Sequence, residues 1–252
     1  MKNLRFIFPN ALTLINLIFG CAAITVALIG ENEYNAAWLI IIAAVFDVFD
    51  GFFAKLLNAR SEFGVQLDSL ADMVSFGVAP SIILYRWLLL VLTKRSIFST
   101  FELTSANFMQ NVILFCSFLF AVAVAIRLAR FNITPSKGKY FKGLPCTSAA
   151  LIIASIWLML GSTESEFIRA IILNVYVVLI FIALLIFLML SGLHMLSLKF
   201  DGSAFKKNLL QYILIVVSVL LILLYNIVGI FLSLLFYLLL SVVTNFIGKA
   251  EV

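Results

Sequence analysis

The chain has 252 residues, of which 64% are hydrophobic and only 12% charged, with a mean hydropathy of +1.20. A soluble domain is nearer half apolar, so this composition excludes an ordinary globular core and points to a membrane protein. The net charge of +5 does not indicate a nucleic-acid partner. The basic residues fall in short segments between apolar runs, where they serve as topology signals and lipid-headgroup contacts.

A bilayer crossing needs about 20 mainly apolar residues. In chain order, the apolar runs predict spans near 8–30, 35–57, 65–92, 108–131, 144–162, 167–191, 209–226 and 228–247. The first follows Lys2 and Arg5 but is long and lacks a following A-x-A site, so it reads as a retained span and not a signal peptide. The last two come from one run too long for a single crossing, with Asn226 and Gly229 offering a turn near its middle. The fold class is therefore all-α: a polytopic integral membrane helix bundle of about eight transmembrane helices. No linker rich in Pro or Ser interrupts it, so 1–252 reads as one membrane domain, with a six-helix core over 1–191 and a two-helix hairpin over 209–247.

Loop charge orients the bundle. Of the 17 Lys and Arg, only Lys94, Arg95 and Arg169 fall on the far side, and Arg86 lies within the third span. This bias places the N- and C-termini in the cytoplasm. Cys21, Cys116 and Cys146 are an odd set in or beside apolar stretches and suggest neither disulfides nor a Cys/His metal site. The lone His194 reads as an interfacial polar residue at the end of a span.

The informative residues are acids at the cytoplasmic ends of the second and third spans. Asp47 and Asp50 are i,i+3, and Asp68 and Asp72 are i,i+4, so each pair shares one helix face. A carboxylate near the bilayer centre costs roughly 2.5–3.5 kcal/mol, and four together demand a counter-charge. Two such faces turned toward each other make an all-oxygen cage for a hard divalent cation. Gly51 permits close approach of a ligand or a backbone, small Ala54 keeps that groove open, and Lys55 and Arg60 add positive charge suited to phosphate. Spacing alone leaves two readings level: metal-assisted phosphoryl transfer, or a cation or proton path in a transporter.

The run from Asp47 to Asp72 resembles the signature of the CDP-alcohol phosphatidyltransferase family, D-x2-D-G-x2-A-R-x8-G-x3-D-x3-D. Every fixed position matches except Lys55, which stands where the family has arginine. Lysine keeps the charge but loses the planar fork. Further segments are similar to the branch of that family using serine as acceptor: Leu67 to Pro80, Pro9-Asn10 with Thr13 and Asn16, Arg127 to Asn132, and Phe141 to Pro145. Residues 192–200 are similar more weakly, and the last two spans match by hydropathy only.

The resemblance implies a metal-dependent transferase that moves a phosphatidyl group from CDP-diacylglycerol to L-serine and releases CMP. It implies that Asp47, Asp50, Asp68 and Asp72 hold one or two Mg²⁺ or Mn²⁺ ions, with Asp72 also the general base. Gly51, Lys55 and Ser61 would line the CDP-diacylglycerol site, closed by Asn10 and Thr13. It also implies a homodimer in the cell or inner membrane with its active site at the cytoplasmic face. For the serine carboxylate, an arginine fork is the natural partner, and Arg130 is favoured over Arg127, with Lys142 behind both. The alternatives are a sister enzyme using glycerol phosphate or inositol phosphate, an ion-coupled transporter, and a catalytically dead scaffold.

Overall fold

The computed structural model describes residues 4–29, 34–59, 61–93, 108–133, 140–162, 165–196 and 209–248. Arg60, the Lys142 and His194 side chains and most of the loop charges that orient the bundle lie outside what is described. Among the described residues, five helical stretches are long and apolar enough to cross a membrane: Phe6–Ile29, Asn35–Leu56, Glu62–Thr93, Phe108–Ile133 and Leu209–Val243. A sixth forms if Glu166–Ile172 and Val175–Leu190, bent by 62° at their junction, count as one span.

Helix α1 (Leu4–Ile29) packs along α2 (Asn35–Leu56) through a seam of alanines. Ala23, Ala27, Ala36, Ala37, Ala43 and Ala44 are all buried, and small side chains let two backbones approach closely where no hydrophobic drive separates helix from lipid. The third span is not one regular helix. It runs α3 (Glu62–Asp72), a π-helical turn over Met73–Val78, then α4 (Ala79–Thr93). Pro80 accounts for the irregularity: it has no N–H for the carbonyl of Phe76 and its ring crowds that carbonyl, so the preceding turn widens. Widening is accepted there because Gly20 of α1 lies directly against Ser75, whose Cα is 2.8 Å from where a Gly20 Cβ would sit.

The fourth span is also in two pieces, α5 (Phe108–Phe115) and α6 (Phe118–Ile133). Helix α7 (Cys146–Ser162) has 17 residues, about 25 Å of rise, and is the most enclosed helix, with Trp157, Ile153 and Leu160 in the core. Helices α8 (Glu166–Ile172) and α9 (Val175–Leu190) follow, and the buried Trp87 indole donates to the Ile172 carbonyl at 3.0 Å.

Two features depart from a purely helical reading. A short antiparallel ladder pairs β1 (Tyr140–Lys142) with β2 (His194–Leu196). It pins the loop before α7 to the end of α9, helped by Gly143 N–H to Leu193 O at 2.8 Å and Leu144 N–H to Leu188 O at 3.0 Å. Gly143 sits at φ +75, and a Cβ there would collide with the Met189 carbonyl. Gly143→Ala therefore meets both backbone strain and a clash. The expected cost is roughly 1–3 kcal/mol, read as a lower melting temperature in detergent, and an unchanged transition would show the turn to be dispensable.

The second is the final element, α10 (Leu209–Gly248), which reverses at Asn226 (φ 49, ψ −122). A Cβ on Gly229 would lie 2.7 Å from Ile222 Cα, whereas residues seven apart in a continuous helix are about 10 Å apart along the axis. The two arms thus fold back on each other as a hairpin. Its first arm is largely exposed, as a lipid-facing helix is, while Tyr237, Ser233 and Ser241 of the second arm are buried.

Candidate active site

The sequence places Asp47 and Asp50 near the end of α2 and Asp68 and Asp72 near the end of α3, and packing against α1 brings both pairs together. Asp47, Asp50 and Asp68 each offer a carboxylate oxygen within 4.8 Å of the others. Asp72, 8% exposed, is buried beside them, with its carboxyl within hydrogen-bonding range of Asp47. All four predicted acids thus form one site.

Helix α1 holds this cluster through two polar side chains. Thr13 Oγ1 donates to Asp50 Oδ2 at 2.6 Å, and Asn16 Nδ2 donates to Asp72 Oδ1 at 3.4 Å. Asn16 is itself anchored, since Ser75 Oγ of the π turn donates to its backbone carbonyl at 3.0 Å. Thr13, which the resemblance places at the lipid nucleotide, is thus also a partner of the acid. Asn16 is among the residues that carry the family resemblance, but nothing in the sequence gives it this positioning role.

The donor set fits a divalent cation. Among the described residues, Asp68 Oδ1 is buried with no hydrogen-bond partner. A desolvated anionic oxygen without a partner is strongly unfavourable, and converging carboxylates add repulsion. A hard cation at the convergence of Asp47, Asp50 and Asp68 relieves both.

The groups expected at the lipid nucleotide lie around the start of α3. Ser61 is the N-cap and its Oγ accepts from the Gly64 N–H at 3.0 Å, which accounts structurally for a small hydroxyl residue at that position. Asn10 Oδ1 and Ser61 Oγ both stand 3.1 Å from the Cβ position of Gly64, so Asn10, Ser61 and Gly64 form one compact corner. Gly51 is exposed, and a Cβ there would meet nothing within 4 Å. Helix packing within the chain therefore does not require this glycine, and of its two expected uses only approach by a ligand or another molecule remains. Lys55 is exposed one turn further on.

Beside the acids lies a cavity of about 530 Å³. Asp47, Asp68 and Asp72 form one wall, and Arg127 of α6 another. Its Nε is buried without a hydrogen-bond partner among the described residues. Arg130, the favoured sequence candidate, is exposed and does not line the cavity. Three residues on, Arg130 is offset from Arg127 by only about 60° around the helix, yet it lies outside the lining. Asn132 Nδ2 donates to Ser69 Oγ at 2.9 Å, tying the end of α6 to α3 at the rim. The floor is Cys146, Thr147 and Ser148 of α7, and the remaining wall comes from Leu214, Ser218, Ser233, Leu234 and Tyr237 of the hairpin. Sequence reasoning missed the hairpin residues, because hydropathy alone distinguishes no position within an apolar run.

Comparison with known proteins shows the family. The family model described as CDP-alcohol phosphatidyltransferase matches residues 6–188. A Helicobacter pylori protein named CDP-diacylglycerol–serine O-phosphatidyltransferase is 32% identical over 227 residues, spanning 85% of this chain and 81% of that protein. Proteins of the same name from Methanocaldococcus jannaschii and Bacillus subtilis are 32% and 34% identical, covering 66% and 58% of this chain and 68% and 72% of their own lengths. With its acid cluster intact and most of its length matched, this chain belongs to the CDP-alcohol phosphatidyltransferase family.

Proposed function

We infer that this chain is an integral membrane transferase that moves the phosphatidyl group of CDP-diacylglycerol to L-serine, giving phosphatidylserine and CMP. The observation that carries the reading is the carboxylate cluster bordering a cavity whose wall also holds Arg127, its Nε buried. It occurs in a chain about one-third identical to proteins bearing that name.

The chemistry follows from the placement of the side chains. L-serine enters the cavity with its carboxylate toward Arg127, whose guanidinium offers a planar fork and whose Nε has no competing acceptor among the described residues. Its hydroxyl then faces the acids. A serine hydroxyl is a weak nucleophile until a base takes its proton, and Asp72, oriented by Asn16, lies in the wall to do so. The oxygen forms a bond to the phosphorus that carries diacylglycerol, the P–O bond to CMP breaks, and the electron pair leaves with CMP. Thr13 keeps Asp50 turned toward the cluster throughout. A divalent cation, Mg²⁺ or Mn²⁺, held by Asp47, Asp50 and Asp68 with Asp72 beside them, would offset the charge of the pyrophosphate. The lipid nucleotide would lie against Asn10, Gly51, Lys55 and Ser61, none of which lines the cavity.

The same reading places the site at the cytoplasmic face with both termini inside, supported by the loop-charge bias. It takes α7 and the two hairpin arms as crossings, bringing the count to eight. As the family resemblance implies, the assembly proposed is a homodimer.

The test is purified protein with CDP-diacylglycerol and a panel of alcohols, followed by CMP release and lipid analysis. L-serine should support turnover best. Product only from glycerol phosphate or inositol phosphate would move the chain to a sister activity, and no CMP with any alcohol would favour the transporter. Lys55 gives a finer check. Lys55→Ala should raise the KM for CDP-diacylglycerol by about tenfold through loss of a phosphate-facing cation, and Lys55→Arg should retain activity. Unchanged kinetics for Lys55→Ala would reduce it to a marker of the membrane boundary.

A further inference from the structure

A serine or threonine on a membrane helix usually donates its hydroxyl hydrogen to a carbonyl three or four residues back, because lipid offers no other partner. This chain follows the rule. Thr25, Ser81, Thr93, Ser155 and Ser233 all donate in this way. Among the described serines and threonines, only Thr147, Ser148 and Ser218 make no hydrogen bond through the hydroxyl. All three line the cavity beside the acids.

For two of them the local structure gives the reason. The Ala149 N–H bonds to the Pro145 carbonyl at 3.0 Å and opens α7, so Thr147 and Ser148 sit in its first turn. No earlier turn of helix stands behind them to supply a carbonyl. Both are half-buried, on the floor of the cavity. Cys146, the residue before them, lies close enough to Asp72 and to Arg127 to feel both charges. The first turn of α7 is therefore near the base and the arginine alike. A hydroxyl can donate or accept, and a guanidinium on an adjoining wall favours an anionic group over an ammonium as what the hydroxyls meet.

We propose that Thr147 and Ser148 are specificity-determining residues that donate to the acceptor's carboxylate together with Arg127. This rests on the reading of the cavity as the L-serine site. A carboxylate has two oxygens and room for several donors, so a guanidinium and two hydroxyls can all be used. Arg127 supplies the charge, and the hydroxyls supply direction without adding a second charge to a wall that must also stand beside the acids. An alcohol without a carboxylate leaves these donors unpaired when it fills the cavity, and a site built to hydrogen-bond one group rejects a molecule that lacks it.

The test uses the full-length purified protein with Thr147→Val, which keeps the branched shape and removes only the hydroxyl, and separately with Ser148→Ala. Each should raise the KM for L-serine about tenfold, the loss of one hydrogen bond to a charged group, with kcat and the KM for CDP-diacylglycerol each within about twofold of wild type. Thr147→Ser keeps a hydroxyl and should hold the serine KM within about threefold. Ser155→Ala removes a hydroxyl of the same helix that already bonds to Ile152, and should leave all three constants within about twofold. A serine KM raised less than about threefold removes that residue from the site, and the same result at both positions overturns the proposal. So does a loss in which kcat and both KM values move together, or a Thr147→Ser no better than Thr147→Val, because a merely structural residue would give either. Ser148→Ala carries the test if Thr147→Val does not fold. Wild-type turnover with L-serine is measured alongside: its absence overturns the activity on which the proposal rests, whereas normal wild-type turnover with both variants unaffected overturns only the role of the hydroxyls.

Discussion

Asp50→Asn should lower CMP release by at least ~100-fold while leaving the helical fold intact. Asp50 is 5% exposed, accepts from Thr13 at 2.6 Å and contributes one of the three oxygens that converge within 4.8 Å. Asparagine matches its shape and can still accept from Thr13, so packing is preserved. What disappears is one negative charge from a site whose cation affinity depends on them. Without an ion, removing one of several crowded carboxylates relieves repulsion, so the variant should melt in EDTA at or above the wild-type temperature. With an ion, the wild type should gain stability by mass action, and the variant should gain much less. Chelation of the wild type should mimic the substitution in activity and be reversed by Mg²⁺ or Mn²⁺. Full turnover in excess EDTA, or an ion-induced melting shift in Asp50→Asn as large as in wild type, would remove Asp50 from a metal site.

Arg127→Met is the second large effect expected. The side chain lines the cavity and its Nε is buried without a hydrogen-bond partner among the described residues. A fold gains little from a donor held in that state, and methionine fills similar volume, so stability should change modestly. Binding of a carboxylate should change a great deal. A charge-assisted hydrogen bond contributes about 1.5–3 kcal/mol, so the KM for L-serine should rise on the order of 10- to 100-fold, with that for CDP-diacylglycerol little altered. Arg130→Gln supplies the internal control, because Arg130 is exposed on the same helix and does not line the cavity. Its serine KM should stay within about threefold of wild type. A larger effect at Arg130 than at Arg127 would move the acceptor contact to the exposed end of α6 and refute this assignment.

How much of this was legible in advance depends on the range of the interaction involved. The acid motif is local: i,i+3 and i,i+4 spacing puts each pair on one face whatever surrounds it, so Asp47, Asp50, Asp68 and Asp72 could be named before any packing was known. The positions of the apolar runs were equally legible, because a bilayer imposes a minimum length on each. Their internal breaks were less so. The π turn after Asp72 follows from Pro80 together with the contact between Gly20 and Ser75, and that contact joins residues far apart in the chain. The reversal at Asn226 was suggested by a polar residue in an apolar run and appears in its backbone angles.

The choice between Arg127 and Arg130 shows where sequence stops. Both end the same span, both suit a carboxylate, and composition ranks neither. A difference of three residues on a helix becomes a difference between cavity wall and exposed surface only when α6 is packed against α3 and α7. Ser61 shows a second role that only the structure adds: the resemblance implies a contact with the lipid nucleotide, and the folded chain also gives its Oγ a capping bond from Gly64. The sequence by itself determined the membrane class, the acid cluster and the family, because length, hydropathy and fixed spacing are properties of short stretches of chain. Only the tertiary structure decided that Thr13 and Asn16 hold the acids, that Arg127 faces them, and that the hairpin closes the cavity with Tyr237. Each of these joins residues tens to more than a hundred positions apart, and such contacts are set by which helix faces pack together, which no local pattern encodes.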